Sequence, residues 1–133
     1  MTNTRKKGLR KELLCSKILE QNGWEIVFRS TTVKRGPCWI GLDFANLFDV
    51  VAIKPTTKEL IYPLMRPDWR LISVKHSTSG RFTETREKLL DFKNRYAPPG
   101  VNVELWIWHP AKMRGRGVGK IWTEAHWEQQ VIT

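Results

Sequence analysis

The chain has 133 residues, enough for one domain with a buried core, and Lys plus Arg outnumber Asp plus Glu by 23 to 13 for a net charge of +10. That balance points to a polyanionic partner, DNA or RNA most simply. A hydrophobic content of 41% excludes a disordered chain, and two cysteines, Cys15 and Cys38, make neither a disulfide framework nor a zinc motif. No apolar run reaches transmembrane length and none follows the basic start as in a signal peptide. The expected setting is therefore intracellular, in the cytoplasm or at the nucleoid, viral infection included, with no membrane partner.

Residues 1–133 read as a single domain whose first seven residues, Met1 to Lys7, form a loose basic tail. A helix is expected over Leu9 to Gln21, with its apolar stripe through Leu14, Cys15, Ile18 and Leu19 and a stop at Asn22-Gly23. Glu12 borders that stripe, so its carboxylate can look inward. Trp24 to Arg29 alternates and reads as a strand, and Ser30 to Gly41 as a long loop with two adjacent cations.

Leu47 to Ile53 is almost wholly apolar, the pattern of a central strand buried on both faces, with Asp49 in its middle. Pro55 to Lys58 reads as a turn; Glu59 to Leu64 and Trp69 to Lys75 read as strands. His76 to Gly80 is a polar turn, Phe82 to Tyr96 a second helix stopped by Pro98-Pro99-Gly100, and Val101 to Trp108 a strongly alternating strand. A basic glycine-rich loop, Pro110 to Lys120, leads to a short strand at Ile121-Trp122 and a weak C-terminal segment. This order predicts an α/β fold, a central mixed sheet flanked by helices.

An isolated ionised carboxylate in an apolar strand costs several kcal/mol, so Asp49 needs compensation. A divalent cation or a buried ion pair would supply it. The cation is favoured because Lys75 ends a neighbouring strand and Glu12 sits on the first helix. Two carboxylates for a hard cation and an ammonium for phosphate charge are the parts of a metal-dependent phosphodiesterase. Taken singly, Lys75 is an ordinary strand-end charge and Glu12 an ordinary helical acid.

Lys7-Gly8-Leu9-Arg10-Lys11-Glu12 resembles the start of archaeal-type Holliday junction resolvases, and Asn22 to Ser30 resembles their following turn and strand. Phe48-Asp49-Val50-Val51-Ala52 is similar to the aspartate strand of the wider PD-(D/E)xK nuclease superfamily, and Ser73-Val74-Lys75 falls where that motif has an acid, any residue, then lysine. The resemblance spans roughly residues 5 to 108 and draws its specificity from the order of short motifs. It implies a restriction-endonuclease-like core and a homodimer that nicks branched DNA symmetrically. It also implies magnesium, or manganese in its place, held by Glu12, Asp49 and the Val74 carbonyl, with Lys75 orienting water.

Two departures stand out. Ser73 occupies the position of the motif acid, so a replacement carboxylate is sought in Asp43, Glu84 or Glu104, with Asp43 the most interesting. Asp49 also lies farther beyond Arg29 than a compact resolvase needs, and the Lys54 to Arg70 segment is enlarged. Expected phosphate contacts are Arg5, Lys6, Lys7, Arg10, Arg29, Lys34 and Arg35, with Arg114, Arg116 and Lys120 as a second basic group. The histidines His76, His109 and His126 show no ligand spacing, and most of the seven tryptophans are expected in packing. The rival readings are another nuclease of the superfamily cutting linear duplex, an RNA-processing nuclease, and a nucleic-acid-binding protein whose catalytic site has decayed.

Overall fold

The computed structural model describes residues 3–45, 47–54, 68–97, 100–114, 119 and 121–133. Helix α1 (Asn3–Gln21) leads into β1 (Glu25–Arg29), a hairpin of β2 (Thr31–Arg35) and β3 (Cys38–Leu42), then β4 (Val50–Lys54) and β5 (Asp68–His76). A short 3-10 turn (Ser77–Ser79) precedes α2 (Phe82–Tyr96), followed by β6 (Val101–His109), β7 (Lys112–Arg114), β8 (Ile121–Thr123) and β9 (His126–Val131). Five strands form one mixed sheet in the order β1-β4-β5-β6-β9, in which β5 and β6 run parallel and the other neighbours antiparallel. The fold is thus α/β, with α2 making the crossover that a parallel pair requires.

Strand alternation gives the sheet two buried faces. Phe48, Val51, Leu71, Leu89, Val103, Leu105 and Ile107 form the core beneath α2, while Cys15, Leu19, Val50, Ala52, Ile72 and Trp106 form the one beneath α1. Trp106 and Leu105 therefore face opposite ways, as the alternation predicts. Trp108 packs edge-on against Trp127, and the Lys11 ammonium lies 4.2 Å above its ring. On the α1 face Arg70 donates two hydrogen bonds to Glu104, at 2.6 and 2.5 Å, between the rings of Trp24 and Trp106.

Helix α1 ends where Asn22-Gly23 predicts. Gly23 adopts φ 86°, Gly23 N–H donates to the Glu20 carbonyl and Trp24 N–H to that of Leu19, which is the pairing of a Schellman cap. Helix α2 has the expected bounds.

Five expectations change. Helix α1 begins at Asn3, so most of the basic tail is helical, consistent with the good helix propensity of Lys and Arg. The Ser30–Gly41 loop is the β2–β3 hairpin, turned at Gly36 with φ 60°. The apolar strand starts at Val50, leaving Asp49 at its entrance. The C-terminal segment is a full edge strand, β9, and Lys112 to Arg114 leave the glycine-rich loop to pair with β8. The turn and strand expected over 55–64 lie outside the described residues.

Candidate active site

The site forms where the β4–β5 ladder runs out. Asp49 N–H still donates to the Ile72 carbonyl at 2.9 Å, and the Asp49 carbonyl accepts from Ser30 N–H at 2.7 Å. The next rung is made by a side chain: Val74 N–H donates to Asp49 Oδ2 at 2.6 Å. The backbone thus fixes the aspartate between β1 and β5 at the sheet's end. Val74 contributes its amide to the carboxylate, a different part from the carbonyl ligand the family resemblance implies.

A tight turn brings in the second acid. Phe44 and Phe48 form an antiparallel bridge, with Phe44 N–H donating to the Phe48 carbonyl at 2.9 Å and Ala45 at φ 53° between them. The residues just outside such a bridge, Asp43 and Asp49, are carried to the same place. Ser30 joins them: its hydroxyl lies 2.5 Å from Asp43 Oδ1 and 3.2 Å from Asp49 Oδ1. One hydroxyl proton faces two carboxylates, so a further proton or a cation is needed to satisfy the cluster.

Glu12 arrives from α1. Its Oε2 is buried without a hydrogen-bond partner. Burial, then the charges of Asp49 and Asp43, push the Glu12 carboxyl up to about 8, and the Arg29 guanidinium opposes the shift. Burial also raises Asp49, to about 6, against the Val74 amide, the Lys75 ammonium and the Ser30 hydroxyl, which pull it down. The charge of Asp49 thus disfavours ionisation of Glu12, and the site keeps a proton that a free glutamate would release.

The structure therefore brings together Glu12, Asp43, Asp49 and the charge of Lys75. Ser73 is fully buried on the Leu71 side of β5, opposite Val74. Glu104 is consumed by Arg70 in the α1-side core, and Glu84 sits in the first turn of α2, 3.7 Å from Lys88. Neither replaces the motif acid, because each is held elsewhere by its own cation. Among the described residues no three His, Cys, Asp or Glu side chains are already splayed as a metal ligand set. A divalent cation suits these oxygens: it would meet the orphaned Glu12 Oε2 and take the place of the proton that burial keeps on Glu12.

Of the expected phosphate contacts, Arg29 lies beside the cluster through its effect on Glu12, and Arg10, Lys34 and Arg35 are exposed on α1 and the β2–β3 hairpin. Lys6 and Lys7 lie in α1 and Arg114 in β7, while Arg116 lies outside the described residues, as does Lys120. Ser30 is the site residue that sequence reasoning misses, since a serine after a strand carries no mark of its partners. No family model, curated protein or solved structure matches the chain.

Proposed function

We propose that this protein is a metal-dependent DNA endonuclease of restriction-endonuclease-like architecture, acting on branched DNA as a Holliday junction resolvase does. The observation that carries the reading is the convergence of Glu12, Asp43 and Asp49 at a sheet end, with one carboxylate oxygen buried and unpartnered. Lys75 lies beyond the last rung of the same ladder, and its charge reaches Asp49. The β2–β3 hairpin accounts for the added length before Asp49 without disturbing the β1–β4 pairing. Asp43 takes the place of the acid missing at Ser73.

In this reading Glu12, Asp43 and Asp49 hold magnesium, or manganese, and the Val74 amide and Ser30 hydroxyl fix the Asp49 rotamer. When bound, the cation polarises the phosphate and lowers the pKa of water. Lys75 steadies the charge that develops on the phosphate oxygens. Arg10, Arg29, Lys34 and Arg35 neutralise backbone phosphates, and two copies of the chain would supply the paired nicks that a four-way junction requires.

The test is cleavage of a labelled four-way junction and matched linear duplex by wild-type protein and Asp49→Asn, with magnesium or EDTA. Symmetric nicks in the junction alone, lost with the variant or with EDTA, support the resolvase. Equal cutting of linear duplex supports a different nuclease of the same chemistry. Tight binding without cutting overturns the enzyme reading and leaves a DNA-binding protein, the alternative favoured by Ser73.

A further inference from the structure

Strands β6 and β9 form a hairpin that continues past the sheet. Their ladder ends at His109 opposite His126, the chain bends at Pro110-Ala111 and Glu124-Ala125, and pairing resumes with Lys112 opposite Thr123 and Met113 opposite Trp122. The result is an arm, β7–β8, standing clear of both cores. Met113 is 51% exposed, Trp122 58% and Ile121 65%. Directly paired residues share a face of a ribbon, so Met113 and Trp122 present one apolar platform to solvent. A two-stranded ribbon gains little from such a pair in water, which marks the platform as a contact surface.

The base of the arm is a cleft of about 500 Å³, in which Ser77, Thr78, His109, Lys112, Thr123 and His126 stand beside the apolar Pro110-Ala111 bend. The two imidazoles stack at 4.8 Å with an angle of 13° between their planes. His126 Nδ1 lies 2.9 Å from the Glu124 carbonyl, so that nitrogen carries the hydrogen and the ring is held in place at the rim of the cleft. Glu128 faces His109 from β9 at 3.6 Å, and the cleft's own lining brings an ammonium, imidazoles and hydroxyls. Ser77 and Thr78 follow Lys75 on the same chain segment, so the cleft opens where the candidate catalytic strand ends.

We propose that this arm and cleft form a docking surface for an unpaired DNA strand, with Trp122 and Met113 stacking a base and Lys112, helped by the hydroxyls of the cleft, receiving its backbone phosphate. An aromatic platform beside a cationic, hydroxyl-lined groove is the pairing that single-stranded nucleic acid requires, because each base offers a π-face and each linkage a charge. A net charge of +10 gives the complementary field. Duplex keeps its bases stacked and cannot offer one to Trp122, whereas a branch point can. The assignment rests on the DNA reading above but not on the chemistry at Asp49.

Fluorescence anisotropy with a labelled thymidine oligonucleotide in EDTA tests it. Trp122→Ala should weaken binding about tenfold or more, Trp122→Phe should restore most of the affinity, and Lys112→Gln should lower the salt slope by roughly one phosphate. Unchanged affinity of Trp122→Ala, or an equal loss for blunt duplex, overturns the assignment. Trp122-dependent binding by a protein that cuts nothing would leave this surface standing and remove only the nuclease reading.

Discussion

Replacing Glu12 by Gln should abolish a pH dependence of stability that the wild-type protein carries. The folded carboxyl keeps its proton up to about 8, whereas the unfolded one loses it near 4.5, so the folded state binds more protons across that interval. Stability therefore falls as pH rises from about 5 to 8, and Asp49 adds to the same trend at the acid end, up to about 6. At about 1.4 kcal/mol per pH unit, the Glu12 interval has a ceiling of roughly 5 kcal/mol. Glu12 is partly solvated, and screening brings the figure down to about 2 kcal/mol. For a domain of this size that is about 6–10 °C in Tm. The assay is thermal unfolding, followed by tryptophan fluorescence in EDTA at pH 5 and pH 8, for wild type and Glu12→Gln. The wild-type Tm should drop more than the variant's by that margin. Saturating magnesium at pH 8 should restore wild type by about 2–3 kcal/mol at a hundredfold excess over Kd, and the variant much less. Parallel pH profiles for the two proteins would refute the reasoning, since Glu12 would then keep no extra proton in the fold.

Three further outcomes follow from neighbouring contacts. Ser30→Ala removes the hydroxyl that bridges Asp43 and Asp49, and should cost about 1–2 kcal/mol by urea denaturation, more at pH 8 than at pH 5. Arg70→Met leaves Glu104 charged at 2% exposure and should cost about 3–5 kcal/mol, most of it recovered when Glu104→Gln is added, a cycle read by the same denaturation. Lys75→Gln should slow junction cleavage about 100-fold or more while leaving junction affinity in EDTA unchanged.

Local chemistry made α2 and the end of α1 legible: the second helix precedes a double proline, and Asn22-Gly23 is a cap in any context. The β2–β3 hairpin was hidden because Thr31-Thr32-Val33 and two nearby glycines look like a loop until each strand has its partner. Asp49 was misplaced for a related reason. Phe48 is fully buried, so the apolar pattern runs unbroken through a bend whose cause, the turn at Ala45, has no hydrophobic signature. Asp43 could be singled out six residues upstream, but only the Phe44–Phe48 bridge brings it to Asp49. Glu104 looked available because its partner Arg70 stands on another strand, and parallel register leaves no trace in local sequence. His109 and His126 likewise meet only through the β6–β9 pairing.

The two thiols divide into a handle and a clock. Cys38, exposed at the start of β3, is open to any alkylating reagent in the native protein. Cys15 lies sealed on the sheet-facing side of α1, and burial pushes its thiol upward, so it is both inaccessible and a poor nucleophile at neutral pH. Alkylation should thus consume one equivalent at once and the second only as α1 lifts from the sheet. The delay between them counts openings of the same helix that carries Glu12, and a cation binding that glutamate should lengthen it.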